Sequence, residues 1–190
     1  MTPTDRNKNR YMVNSIDHAS NYCRIFVAET KDQAAKMFEY FLAHFERMFN
    51  RMVHVLLTDR GCEYKCVEFF CKSTGVIRQV REANNQTSNG KAELIHRTVL
   101  KMARSMIIES GLTLYFWGDA VHYATYVLNL SPSSAKRNVY DATGDVDRRD
   151  FQYVRLVLFD SPCTIYRNPN KTAWKPRADI GIIFGNHDET

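Results

Sequence analysis

Three carboxylates carry the residue types and spacing for chemistry in this 190-residue chain: Asp17 in VNSIDHAS, Asp59 in VLLTDRGCEY and Glu93 in NGKAELIHR. The first two each close a run that reads as a buried strand, and the third opens an amphipathic helix. Glu93 follows Asp59 by 34 positions, with a turn at Asn89-Gly90 just before it. Carboxylates on rigid elements, with a hinge loop before the last, are what a two-metal phosphoryl-transfer site needs. Two hard cations about 3.5–4 Å apart require shared oxygen ligands from different parts of the chain. Three converging acids repel one another, and a divalent metal relieves that cost. The metal then activates water or a DNA 3′-hydroxyl for in-line attack on a phosphodiester and stabilises the leaving oxygen.

Plainer roles stand beside this one. Asp17 and Asp59 are residues that turns favour. Glu93 could complement a helix N-terminus and pair with Arg97 one turn on. On the polar side of the same helix, His96, Arg97, Lys101 and Arg104 could track a phosphate backbone, or form a solvated face.

The elements that must position these residues follow from periodicity and turn chemistry. Arg10–Ile16 and Tyr22–Ala28 predict a hairpin turned by Asp17–Asn21. Asp32–Asn50 repeats Ala35, Phe38, Phe41, Leu42, Phe45 and Phe49 at helical steps, a stripe expected to pack in the core. Arg51–Thr58 is a short apolar strand, expected to be more buried than the first two. Glu68–Thr74 is a helical turn ended by Gly75, and Val76–Val80 is another strand. Arg81–Gly90 is polar and reads as a mobile loop. Lys91–Ser110 is the best helix, capped by Asn89, followed by Gly111, and apolar at Ala92, Ile95, Val99, Ala103, Met106 and Ile107. Leu114–Leu130 gives a broad aromatic helix stopped near Pro132. The stretch Ser133–Asp150 looks like a connector, and strand-like patches return in YVRLVLF, CTIY and IGIIFG. This order is an α/β arrangement with a mixed sheet.

A composition of 44% hydrophobic and 25% charged residues is globular, and the net charge of +5 with pI ≈ 9.0 favours polyanionic partners. No apolar run approaches the ~18–20 residues of a membrane span, and MTPTDRNKNRYM lacks the apolar core of a secretory signal. Five cysteines, Cys23, Cys62, Cys66, Cys71 and Cys163, read as free thiols in a reducing, intracellular compartment. Zinc is disfavoured at Cys62, Cys66 and Cys71, which lack a C-x2-C knuckle and a nearby His pair.

From Tyr11 to Pro132 the chain resembles the integrase catalytic core of copia-type LTR retrotransposons. The resemblance is carried by SIDHASNYCRIF, LLTDRGCEY, FCKSTGV, SNGKAELIHRTVLKMARSMI and SGLTLYFWGDAVHYATYVLNLSP. The segments FQYVRLVLFDSPCTIY and PRADIGIIFGNHDET resemble the stretch after the core in such polyproteins. The resemblance implies an RNase H-like fold, a mixed five-stranded sheet flanked by helices, with a small C-terminal extension rich in short strands. It divides the chain into a core over 8–132, a connector over 133–150 and the extension over 151–190. It also implies a D,D,E triad of Asp17, Asp59 and Glu93 binding two Mg2+ or Mn2+ ions, with DNA, both element ends and target, as partner. The implied activities are 3′-end processing and strand transfer, carried out by a homo-oligomer in the nucleus. In related integrases a basic residue one turn after the Glu lies close to the element DNA, and Arg97 stands there.

Departures accompany the match. Arg60 follows Asp59 where Asn or Gly is usual, Leu94 replaces an Arg, Thr113 replaces a Pro, and Asp160 stands at a turn position usually held by Gly. The Asp59–Glu93 interval is about two residues short, and the His/Cys zinc segment expected upstream is missing. These features lead to an expectation that the chain is a fragment of a decayed element. The alternative to an active integrase is an inactive nucleic-acid-binding module that keeps the fold.

Overall fold

The computed structural model describes residues 3–50, 52–58, 65–80, 86–131, 156–166 and 178–185. The element order is β1 (Tyr11–Ile16), β2 (Cys23–Ala28), α1 (Ala34–Phe49), β3 (Val55–Thr58), α2 (Lys65–Thr74), β4 (Ile77–Val80), α3 (Gln86–Ser110), α4 (Trp117–Leu130), β5 (Ser161–Tyr166) and β6 (Ala178–Ile183). Single 3-10 turns at Lys31–Gln33 and Leu114–Phe116 lead into α1 and α4.

The first hairpin forms where its sequence places it. β1 and β2 pair antiparallel from Tyr11↔Ala28 to Ile16↔Cys23. The turn closes through Asp17 N–H to Tyr22 O at 2.9 Å and Asn21 N–H to Asp17 O at 3.0 Å, with Asn21 in the left-handed region at φ 61°. Asn tolerates that conformation better than most side chains. β3 and β4 run parallel, from Val55↔Ile77 to Thr58↔Val80, with α2 as the crossover between them. Gly75, at φ 76°, ends α2 and lets the chain turn into β4. β5 and β6 form a second antiparallel pair, preceded by a turn at Asp160, φ 70°, whose N–H bonds Ile183 O at 2.9 Å. Among the described residues the strands pair two by two, in three small sheets.

Two apolar clusters hold these pieces together. In the first, Val99, Ala103 and Ile107 of α3 and Trp117, Ala120, Val121 and Ala124 of α4 pack on Cys23 and Ile25 of β2. In the second, Phe38, Phe41, Leu42 and Phe45 of α1 meet Val67, Cys71 and Val76, with Tyr22, Phe26 and Leu56 against them. Alternation along β2 therefore splits its side chains between the two clusters. Those four α1 residues belong to the core, as their spacing predicts.

Several expectations need correction. β3 is less buried than β2: Val55 is 46% exposed, whereas Cys23, Ile25 and Ala28 are at most 2% exposed. The reason is that β2 is covered on both faces and the two-stranded β3–β4 sheet is not. α3 begins at Gln86, so 86–90 are helical and Asn89 lies inside the first turns and is not the cap. No proline interrupts this stretch, and a helix anchored further along can extend through polar residues of weak propensity. YVRLVLF supplies no strand within its described part, Leu156–Phe159. The connector 133–150 lies outside the described residues.

The segment before β1 packs tightly on the start of α4. Asp5, 2% exposed, accepts hydrogen bonds from Asn7 N–H at 2.9 Å, Asn9 N–H at 2.7 Å and the Asn9 side-chain amide at 2.9 Å. Its carboxylate lies against Gly118 in the first turn of α4. Arg6 grips Asp119 with two bonds of 2.8 and 2.7 Å, and Trp117 Nε1–H donates to Pro3 O at 3.2 Å. The other end of the chain reaches the same place: Phe184 stacks on Phe116 with centroids 4.8 Å apart and lies under the Arg6 guanidinium at 5.4 Å. Tyr123 O–H donates to Val157 O, and Gly185 lies against the Tyr123 ring.

Candidate functional site

Asp17 is the first residue after β1, and its side chain is part of the turn. Its Oδ2 accepts both Ser20 N–H and Ser20 Oγ–H at 2.6 Å, and Ser20 Oγ in turn accepts Tyr22 N–H at 3.1 Å. Ser20 is 2% exposed, so this network forms a small rigid unit at the end of the hairpin. The far end of α4 fixes that unit from the other side. Asn129 Oδ1 accepts Cys23 N–H at 3.0 Å and Asn129 Nδ2–H donates to Cys23 O at 2.6 Å. The side-chain amide thus pairs with β2 as another strand would.

Helix α3 crosses this corner near its start. Lys91 Nζ–H donates to His18 O at 2.5 Å, and Asn14 Nδ2–H reaches Ala92 O at 3.5 Å. These contacts bring the turn holding Asp17 beside the stretch of helix holding Glu93. Glu93 lies seven residues after Gln86, in the third turn of α3 and not the first. Its carboxylate is exposed and bonds Arg97 Nη2 at 3.0 Å. At 3.6 residues per turn, Glu93 is about 200° around the helix from Lys91. The face that Lys91 turns to the hairpin is therefore not the face that carries Glu93.

Asp59 and Arg60 lie outside the described residues. Thr58 just before them is buried, and its Oγ1 accepts Arg78 Nε–H at 3.1 Å; Arg78 Nη1 lies 3.5 Å from Glu68 Oε2. Lys72 pairs with Glu68 at 3.0 Å, and its hydrogen bond holds the Glu68 carboxyl below its ordinary range. Among the described residues no three His, Cys, Asp or Glu side chains form a group that could hold a metal ion. Cys23, Cys71 and Cys163 are free thiols, and burial pushes the Cys71 thiol up. Cys62 and Cys66 lie outside the described side chains.

The basic stripe divides. Arg97, Lys101 and Arg104 are exposed on the outer face of α3, at positions 97, 101 and 104 that helical geometry stacks together. His96 is half-buried, and burial lowers its pKa from the ordinary value. It belongs with the inward side of the helix rather than with the exposed cations. Because the neutral form is favoured in the folded chain, the unfolded chain binds more protons where the two states differ. Stability is therefore expected to be full above the unfolded histidine value of about 6.5 and to fall as pH drops through it. His96→Gln should flatten that decline in urea melts between pH 7.5 and 5.5, and an unchanged decline would assign it elsewhere.

Sequence reasoning missed the Asp5–Gly118 contact, the Arg6–Asp119 pair and the Asn129 clamp. The phrase FW-x-DA marks the receiving surface for the first two, but nothing local marks Asp5 and Arg6 as its partners.

No protein-family model matches the chain. The chain is 38% identical over 127 residues to the retrovirus-related Pol polyprotein from transposon TNT 1-94 of Nicotiana tabacum, covering 66% of this chain and 10% of the relative. It is 27% identical over 132 residues to the transposon Ty1-DR6 Gag-Pol polyprotein of Saccharomyces cerevisiae, covering 66% and 8%. It is 23% identical over 124 residues to the retrovirus-related Pol polyprotein from transposon RE2 of Arabidopsis thaliana, covering 65% and 8%. The chain thus spans about a tenth or less of the length of the curated relatives it matches. About two thirds of it is similar to part of retrotransposon Pol polyproteins.

Proposed function

We propose that this chain serves transposition as the catalytic core of a DNA integrase, a metal-dependent polynucleotidyl transferase with an RNase H-like arrangement of its strands and helices. The observation that carries the reading is the meeting of the Asp17 turn with the start of α3 through Lys91–His18 and Asn14–Ala92. Acids far apart in the sequence are thereby carried on adjoining elements, and the similarity to retrotransposon Pol polyproteins supplies the context.

Asp17, Asp59 and Glu93 would hold Mg2+ or Mn2+. As hard oxygen donors they suit such ions, and a carboxylate oxygen that accepts a hydrogen bond keeps further lone pairs for a cation. The bound ions would supply an activated nucleophile and stabilise the leaving oxygen. The chain's own part is positional: Ser20 orients the Asp17 carboxylate, and Arg97, Lys101 and Arg104 present a cationic face to a DNA backbone. The element ends and the target would both be DNA, and the working form a homo-oligomer.

The test is joining of a labelled duplex with a recessed 3′ end, carrying the element's terminal repeat, to plasmid DNA in Mn2+. Glu93→Gln is expected to lower joining at least ~100-fold, the scale of removing one electrostatic stabiliser from a reaction centre. Its loss of the Arg97 pair should cost only about 0.3–0.5 kcal/mol of stability. Equal joining by parent and variant would remove Glu93 from the site.

The Glu93–Arg97 pair itself favours a second reading, an inactive nucleic-acid-binding module that keeps the fold. That reading expects DNA affinity falling steeply with salt and no joined or nicked product.

A further inference from the structure

We propose that Lys91 is a positioning residue that locks the turn bearing Asp17 to the helix bearing Glu93. The role rests on the metal-dependent reading above for its purpose, and on geometry for its existence. Lys91 Nζ–H meets the carbonyl of His18, the residue next to Asp17, at 2.5 Å. The turn it grips is already stiff, because Ser20 binds the Asp17 carboxylate while Asp17 and Asn21 close the backbone. A single charge-assisted bond to a stiff turn fixes the whole turn, where the same bond to a loose loop would fix one residue.

The neighbouring residue of α3 makes a second, weaker link, Asn14 Nδ2–H to Ala92 O at 3.5 Å, on the strand that leads into the turn. Beyond that link, α3 is seated by Val99, Ala103 and Ile107 on the other side of the molecule's first core cluster. Lys91 is therefore the polar tether at the end of a helix whose apolar seat lies further along. Its four-carbon stem crosses the gap from helix to turn, and the ammonium meets the turn beside Asp17, while Glu93 stands on another face of the same helix. Arginine can make the same donation; methionine has the reach without the donor.

The test uses the full chain with Lys91→Met, Lys91→Arg and, as a second donor-free variant, Lys91→Leu. Amide hydrogen exchange reads the turn directly, and Mn2+ titration followed by paramagnetic broadening of the Ser20 and Asn21 amides reads the site. Lys91→Met and Lys91→Leu are expected to quicken exchange at Asp17 and Asn21 about tenfold while α4 exchange holds. Mn2+ affinity is expected to fall about tenfold, as when an outer-shell partner of a ligand is lost, and Lys91→Arg to restore both. Unchanged exchange in both donor-free variants overturns the tether. Quicker exchange with undiminished Mn2+ affinity overturns the positioning role and leaves the metal reading standing. A parent chain that binds no Mn2+ overturns the metal reading, and the positioning role falls with it.

Discussion

Asp17→Asn is expected to abolish DNA joining, a loss of at least ~100-fold, while leaving the hairpin folded. The two consequences separate because the carboxylate serves the turn and the proposed metals through different properties. For the turn it is an acceptor: Oδ2 takes Ser20 N–H and Ser20 Oγ–H, each at 2.6 Å. An asparagine oxygen can accept the same two bonds, and asparagine is at home in turns of this kind. The substitution loses only the charge assistance, which corresponds to a stability cost of about 1 kcal/mol. For a divalent cation the negative charge is the essential property, and a neutral amide is a poor substitute beside two other acids. Ser20→Ala provides the converse, loosening the turn while keeping the carboxylate, so joining should fall much less than stability. The measurements are the Mn2+-dependent joining assay and urea melts on each variant. Full joining by Asp17→Asn would assign Asp17 to the turn alone.

The largest expected effect on stability lies at the opposite end of α4. Gly118→Ala places a methyl group where the Asp5 carboxylate now lies, closer than any real contact allows. Either Asp5 leaves or α4 shifts. Overpacking of this kind costs roughly 1–3 kcal/mol. Here the group displaced is a buried carboxylate bonded to two backbone amides and the Asn9 side chain. Leaving such donors unpaired adds about 1–3 kcal/mol. About 3–4 kcal/mol in total is the expectation from those two principles, roughly half the stability of an ordinary domain. A double-mutant cycle sharpens the test. In an Asp5→Gly background the new methyl group meets empty space, so Gly118→Ala should cost little there, and a coupling above about 1 kcal/mol identifies the contact. Additive costs in the cycle would mean that Asp5 and Gly118 do not touch.

The hairpin, the aromatic face of α1, the apolar face of α3 and the helix expected over 114–130, which is α-helical from Trp117, follow from local pattern. Gly75 and Gly111 mark helix ends, and both take positive φ. Asp160, in the turn expected of it, has φ 70°. The hidden features depend on partners far along the chain. Asp5 and Arg6 carry no local signal of a partner, yet they are held by Gly118 and Asp119 more than a hundred positions away. The start of α3 was misplaced because polar residues without proline carry little information about helix or loop. The candidate site is legible as residue types alone: Asp17 bonds Ser20 within its turn, and Arg97, Lys101 and Arg104 are exposed. His96 is half-buried, and a single histidine at the edge of an amphipathic face gives no sign in the sequence of how deeply it will sit.

The docking of Pro3–Asn9 and of Phe184 on the start of α4 has a consequence for anything joined to this chain. Both segments arrive at the pole marked by Phe116 and Trp117, whereas Asn129 holds the Asp17 turn at the far end of the same helix. At 1.5 Å per residue, the 14 residues of α4 put roughly 20 Å between those poles. Whatever these two segments carry would thus crowd one pole. The turn that holds Asp17 would be left open to a bulky polymer approaching from the other, as in a cassette wired through a single socket.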